Sequence, residues 1–343
     1  MFVSTLGETM ITDERVFTEG FVPGDVVHRH DQLDRLSGAL RPLTDGGRPE
    51  NALLFGPTGA GKTCAARYVL RELGERVPEA HVGYVDCWAD YTRFRVLERA
   101  CEVVGRAADV HRRSTPTDSL ADRLRGVDAP VVLVLDEADQ LQEPAALGDL
   151  YRVPGVTLVC IANREPELFA TLDDRLASRL RTAARVRFDR YTTDELVAIL
   201  RDRADEGLDP GVVTDAHLQG IADAAAGDAR VAIGALRAAV RRAVRNNREH
   251  VTDADVEAAV PAAETLIHER TVERLTDDQR ALYDIVREAG EIDPGELYDR
   301  YESRVAEPKS RRTLRNYLAK MAHYDLVERD GETRGRVYRI VEP

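Results

Sequence analysis

The chain has 343 residues, enough for two or three domains, and its 61 acidic against 48 basic side chains give a formal charge of −13. Only Lys62, Lys309 and Lys320 are lysines, so a surface kept solvated at high salt, or a GC-rich genome, accounts for the arginine-rich acidic balance. The four cysteines fall in no CxxC or zinc spacing, and there is neither a basic start leading into an apolar stretch nor a run of 18 apolar residues. The composition thus argues against a zinc module, a secreted disulfide scaffold and a membrane protein, and for a reducing cytoplasm.

Taken in chain order, "LLFGPTGAGKT" ends an apolar strand and opens a helix, the context that a phosphate-binding loop requires. Gly56, Pro57, Thr58, Gly59, Ala60, Gly61, Lys62, Thr63 and Cys64 are therefore the expected cradle for ATP or ADP. The backbone N–H groups and the helix N-terminus face the phosphates, Lys62 reaches the β- and γ-phosphates, and the Thr63 hydroxyl ligates Mg²⁺.

Short β-branched runs ("NALLF", "HVGYVDC", "VVLVLD", "GVTLVCIAN", "ARVRF") then alternate with helical patterns, which predicts a five-stranded parallel sheet with helices on both faces. In "VVLVLDEAD", Asp136 is placed to hold Mg²⁺ and Glu137 to orient or deprotonate the attacking water. The letters DEAD are followed by no other helicase motif. Asn163 closes the next strand, beside Asp136, where an amide faces the γ-phosphate and the water. In "LDDRLASRL", Arg175 and Arg179 lie four apart on one helix face; either suits a finger reaching a neighbouring subunit's ATP site, with Arg175 favoured.

After "RYTTDEL" the strand signals stop and helical spacing takes over, with repeated Thr-Asp openings that read as N-caps. Arg230 stands in the first turn of "AAGDARVAIGALR", where it can sense the γ-phosphate and close a lid. From Thr276 onward, three helical patterns and a β-hairpin predict a winged helix-turn-helix. The expected division is 1–188 for the nucleotide-binding α/β domain, 189–270 for the helical lid and 271–343 for the winged helix.

From Lys309 to Arg339, nine basic side chains meet four acidic ones, a local reversal of sign that suits nucleic acid. Leu314, Tyr317, Leu318 and Met321 form the packing stripe of "SRRTLRNYLAKM", which leaves Arg311, Arg312, Arg315 and Asn316 for a DNA groove. Arg334 and Arg336 flank the wing turn and suit phosphate or minor-groove contact.

With phosphate loop, acidic strand end, Asn strand end, RLASRL and GDAR in that order, the chain resembles an AAA+ ATPase. More narrowly it resembles the archaeal replication initiators, relatives of the origin recognition complex large subunit and the cell-division-cycle-six loader. The resemblance implies that the segment from Pro23 to Gln32, with Val27, His28 and Arg29, helps enclose adenine, and that Tyr191 joins the nucleotide-binding set. It implies that "DYTRFRVLERACEVVG", with Arg93 and Arg95, sits where the family inserts DNA-touching helices. It departs from the family at Asp174, where proline is common, and at Val231, where a second arginine is usual.

The expected function is therefore an ATP-dependent initiator that binds double-stranded origin DNA, helps load the replicative helicase and self-associates on DNA, with slow Mg²⁺-dependent hydrolysis as a switch. A clamp-loader or branch-migration motor, or a nucleotide-gated DNA-binding regulator, fits the same motifs.

Overall fold

A computed structural model describes residues 10–18, 20–112, 114–331 and 336–342. Its elements run α1 (His30–Leu40), β1 (Ala52–Phe55), α2 (Lys62–Arg76), β2 (His81–Asp86), α3 (Arg93–Val103), α4 (Thr117–Arg125), β3 (Val131–Asp136), α5 (Ala145–Tyr151), β4 (Val156–Ala162), α6 (Glu165–Thr171), α7 (Asp174–Leu180) and β5 (Ala184–Arg187). The five strands pair in parallel in the order β2-β3-β4-β1-β5.

Burial explains which runs read most clearly. β1, β3 and β4 occupy the middle of the sheet and are buried at every residue, so both of their faces must be apolar. The edge strands β2 and β5 tolerate polar residues such as His81, Arg185 and Arg187. Alternate residues feed two cores: Leu53, Phe55, Leu133 and Leu135 pack on one face, and Leu54, Val132, Val134 and Val186 on the other. The carboxyl ends of β1, β3 and β4 therefore lie together, at the edge where open α/β sheets bind ligands.

Three helices follow: α8 (Thr193–Gly207), α9 (Asp215–Ala224) and α10 (Ala229–Arg245). Thr192 and Thr214 close capping boxes with Glu195 and His217, and Asp228 caps α10 by accepting from the Arg230 and Val231 N–H groups. Each such cap contributes about 1 kcal/mol. The Thr-Asp opening at Thr214 is thus an N-cap, whereas before α8 the cap is Thr192, one residue ahead of the Thr193-Asp194 pair.

A strap from Met10 to Phe17, which no sequence signal announces, lies against this helical part. Thr12 and Asp13 donate to the Gly207 carbonyl at 2.9 and 3.3 Å, and Val16 and Phe17 are buried. A Cβ on Gly207 would meet the Phe17 ring at 2.8 Å, so the close approach requires glycine.

The contacts group residues up to Glu257 in one compact unit and begin a second at Ala258. The boundary falls inside the continuous helix α11 (Asp253–Glu273), which carries Pro261. The second unit consists of α12 (Asp277–Ala289), β6 (Glu291–Ile292), α13 (Pro294–Arg304), α14 (Arg311–His323), β7 (Val327–Asp330) and β8 (Val337–Ile340). Its sheet has the order β6-β8-β7, so the hairpin gains a short third strand absent from the sequence reading. This is a winged helix-turn-helix. Among the described residues, no helix is long and apolar enough to cross a membrane.

Candidate functional site

The loop between β1 and α2 turns on Gly59 and Gly61, whose φ values of +75° and +89° lie in the left-handed region that side chains resist. Two neighbours also leave them no room. A Cβ on Gly59 would fall 2.0 Å from Asp228 Oδ1, and one on Gly61 2.3 Å from the Tyr191 hydroxyl. The Ala229 N–H also donates to the Gly59 carbonyl at 3.2 Å, so the start of α10 rests directly on the loop.

Lys62 opens α2 and is only 8% exposed. Its ammonium donates to Gly56 O at 2.6 Å, Pro57 O at 2.8 Å and Asn163 Oδ1 at 3.0 Å. All three acceptors are neutral, and burial pushes the ammonium down to about 8, against the upward pull of Asp136. A buried cation on neutral oxygens, at the N-terminus of α2, fits a polyphosphate.

One residue on, the Thr63 hydroxyl donates to Asp136 Oδ2 at 2.6 Å. The Tyr84 hydroxyl donates to the same oxygen at 2.8 Å, and the Glu137 N–H donates to Oδ1 at 2.9 Å. A hydroxyl and a carboxylate in contact form an all-oxygen donor set of the kind Mg²⁺ takes, so these residues fit that ion. Glu137 has φ +55°, a left-handed conformation that costs a non-glycine residue about 1 kcal/mol or more and turns it out of β3. Burial and the adjacent Asp136 carboxylate push the Tyr84 phenol far above its ordinary range.

Arg230 sits in the first turn of α10, next to Ala229, whose N–H donates to the Gly59 carbonyl of the loop. Its Nε is buried without a hydrogen-bond acceptor among the described residues. Arg29 is 4% exposed and donates to the Ala60 carbonyl at 3.1 Å and the Asp189 carbonyl at 2.8 Å. Its guanidinium stacks 3.7 Å from the Tyr191 ring. Val27 is half-buried and His28 is exposed, with φ +59°. The Cys64 thiol is pushed up by burial.

The structure therefore brings Arg29, Gly56 to Cys64, Asp136, Glu137, Asn163, Tyr191 and Arg230 to one edge of the sheet. Arg175 and Arg179 lie apart on α7, both exposed. Arg179 rests over its own Tyr151 ring at 5.6 Å, whereas Arg175 has no ion-pair partner among the described residues.

In the second unit, Leu314, Tyr317, Leu318 and Met321 are buried as their spacing predicts, and Arg311, Arg312, Arg315 and Asn316 are exposed. Arg311 is drawn to Asp299 at 3.2 Å and Glu302 at 3.8 Å, while Arg315 donates to the Arg311 carbonyl. Arg336 is half-buried, and Arg334 lies outside the described residues.

On the inserted helix α3, the arginines expected to face DNA are held in ion pairs within the fold. Arg93 is bound to Asp149 and Asp118, and Arg95 to Asp90 and Glu98. Arg99 is bound to Asp90 and Glu102. These guanidiniums are neutralised within the fold, so a phosphate would have to displace carboxylates to reach them. Sequence reading also omitted Tyr84, which belongs to no chemistry-bearing motif, and the docking of Asp228 on Gly59, whose two motifs lie far apart in the chain.

Comparison with known proteins agrees with this geometry. Residues 47–165 match the family model of an AAA domain, and residues 197–260 match that of a Cdc6 AAA+ ATPase-type lid domain. The chain is 45% identical over 334 residues to ORC1-type DNA replication protein 9 of Halobacterium salinarum, covering 97% of this chain and 94% of that one. It is 46% identical over 308 residues to ORC1-type DNA replication protein 1 of the same organism, covering 90% and 100%. Among solved structures, the Aeropyrum pernix ORC1 protein in complex with DNA superposes with a TM-score of 0.78 at 29% identity, over 98% of this chain and 95% of that one. With lid, base and winged helix all in place, the chain belongs to the ORC1-type (ORC1/Cdc6) DNA replication proteins, a family of AAA+ ATPases.

Proposed function

We propose that this protein is an ATP-switched origin binder that helps load the replicative helicase, its slow Mg²⁺-dependent hydrolysis serving as a timer. One observation carries the reading. The buried Lys62, held by neutral oxygens alone, shares a chain with a helix that turns Arg312, Arg315 and Asn316 to solvent.

Lys62 and the loop N–H groups bind the phosphates, and Arg29 and Tyr191 frame the base and sugar. Thr63 and Asp136 hold Mg²⁺, which when bound supplies charge neutralisation on the phosphate oxygens. Glu137 and Asn163 orient the attacking water, and Arg230 brings the lid to the phosphates. Arg175, with no ion-pair partner among the described residues, is the finger toward a second copy on DNA; Arg179 is occupied by Tyr151. DNA contact falls to α14 and the wing, with Arg312 and Arg315 as the principal cations. Arg93 and Arg95 contribute little, because carboxylates already hold them.

The test is a pair of variants. Lys62→Ala abolishes nucleotide binding, and Glu137→Gln retains ATP without hydrolysing it. Undiminished nucleotide affinity in Lys62→Ala contradicts the reading.

A further inference from the structure

β2 is an edge strand whose residues alternate in direction, and Tyr84 pairs with Val134 on β3, two residues before Asp136. From there its phenol reaches along the strand to the sheet's carboxyl edge and donates to Asp136 Oδ2 at 2.8 Å. That oxygen also accepts from Thr63 at 2.6 Å, while Oδ1 is taken by the Glu137 N–H. Three donors from three segments thus fix a carboxylate that is only 6% exposed. The tyrosine is itself held: the Arg67 guanidinium lies over its ring at 4.2 Å. Arg67 stands one turn after Thr63 on α2, so a single helix fixes both the hydroxyl partner and the ring.

We propose that Tyr84 is a positioning residue for the divalent cation, its hydroxyl setting the orientation from which Asp136 takes Mg²⁺. The inference rests on the reading of Thr63 and Asp136 as the cation pair. Mg²⁺ demands near-octahedral geometry and gives up its water reluctantly, so a carboxylate free to rotate holds it more weakly. Partners that orient a metal's ligands commonly matter about 10- to 100-fold in metal affinity. A ring without the hydroxyl keeps the packing with Arg67 and loses only the hold on Asp136.

The experiment measures ATP affinity of the full chain at a series of free Mg²⁺ concentrations, and with EDTA alone, for the wild type, Tyr84→Phe, Thr63→Val and Asp136→Asn. Tyr84→Phe is expected to bind ATP in EDTA as the wild type does. It should need about tenfold more Mg²⁺ to reach half of the metal-dependent gain in affinity. An unshifted Mg²⁺ midpoint overturns the proposal, as does an equal loss of affinity with and without Mg²⁺, which denotes packing alone. If Thr63→Val and Asp136→Asn both keep the full Mg²⁺ gain, the cation pair itself is wrong and the proposal falls with it. Loss in those two variants with no shift in Tyr84→Phe removes Tyr84 alone.

Discussion

The Lys62 ammonium donates to the side-chain oxygen of Asn163 at 3.0 Å, joining the phosphate loop after β1 to the end of β4, the neighbouring strand. The Gly56 N–H donates to the Asn163 carbonyl at 3.3 Å, so one residue touches the loop through both backbone and side chain.

Replacing Asn163 with Ala should separate binding from chemistry. The backbone contact survives and ATP still binds, while hydrolysis falls on the order of 10²-fold, as for loss of one preorganised polar group. Single-turnover hydrolysis beside equilibrium ATP binding checks this; parallel losses in both would assign Asn163 to binding.

Nucleotide affinity should depend on alkaline pH through Lys62. Burial holds its ammonium at about 8 in the free protein, and phosphate beside it raises that value. Below pH 8 the lysine is already charged, so affinity is flat. Above it, binding must take up a proton, and affinity measured in EDTA falls by up to about tenfold per pH unit. Lys62→Arg, charged throughout, should not show this fall.

Gly59→Ala should lift the lid from the loop. The added methyl meets Asp228 Oδ1 at 2.0 Å, and the left-handed backbone adds about 1–2 kcal/mol of strain. Thermal melting should drop and ATP affinity weaken. Adding Asp228→Ser, which shortens the clashing side chain and keeps a cap, should recover part of both.

Arg312→Ala with Arg315→Ala should weaken duplex binding and leave ATP binding intact. If each arginine holds one phosphate, the slope of log K against log salt falls by about 2. Arg93→Ala should leave that slope unchanged and lower the melting temperature, because its work is to hold Asp149 and Asp118.

What was legible in the sequence follows from how local each signal is. The phosphate loop, the acid after β3 and the stripe on α14 are contiguous patterns, and the buried strands are apolar on both faces, so each declares itself. The strap, the reach of Tyr84 to Asp136 and the Asp228–Gly59 contact join residues far apart in the chain, and only folding brings them together. Arg93 reads as a free cation because Asp118 and Asp149 are 25 and 56 residues away.

The central claim is that ATP governs recognition of particular DNA by the winged helix. The most direct measurement incubates sheared genomic DNA with the ATP-bound protein at its native salt, sequences the retained fragments, and repeats this with ADP and with the Arg312→Ala/Arg315→Ala variant. The account predicts retention concentrated at one or a few intergenic sites with ATP, diminished with ADP and lost in the variant. Retention spread evenly over the genome, or indifferent to the nucleotide, would contradict it.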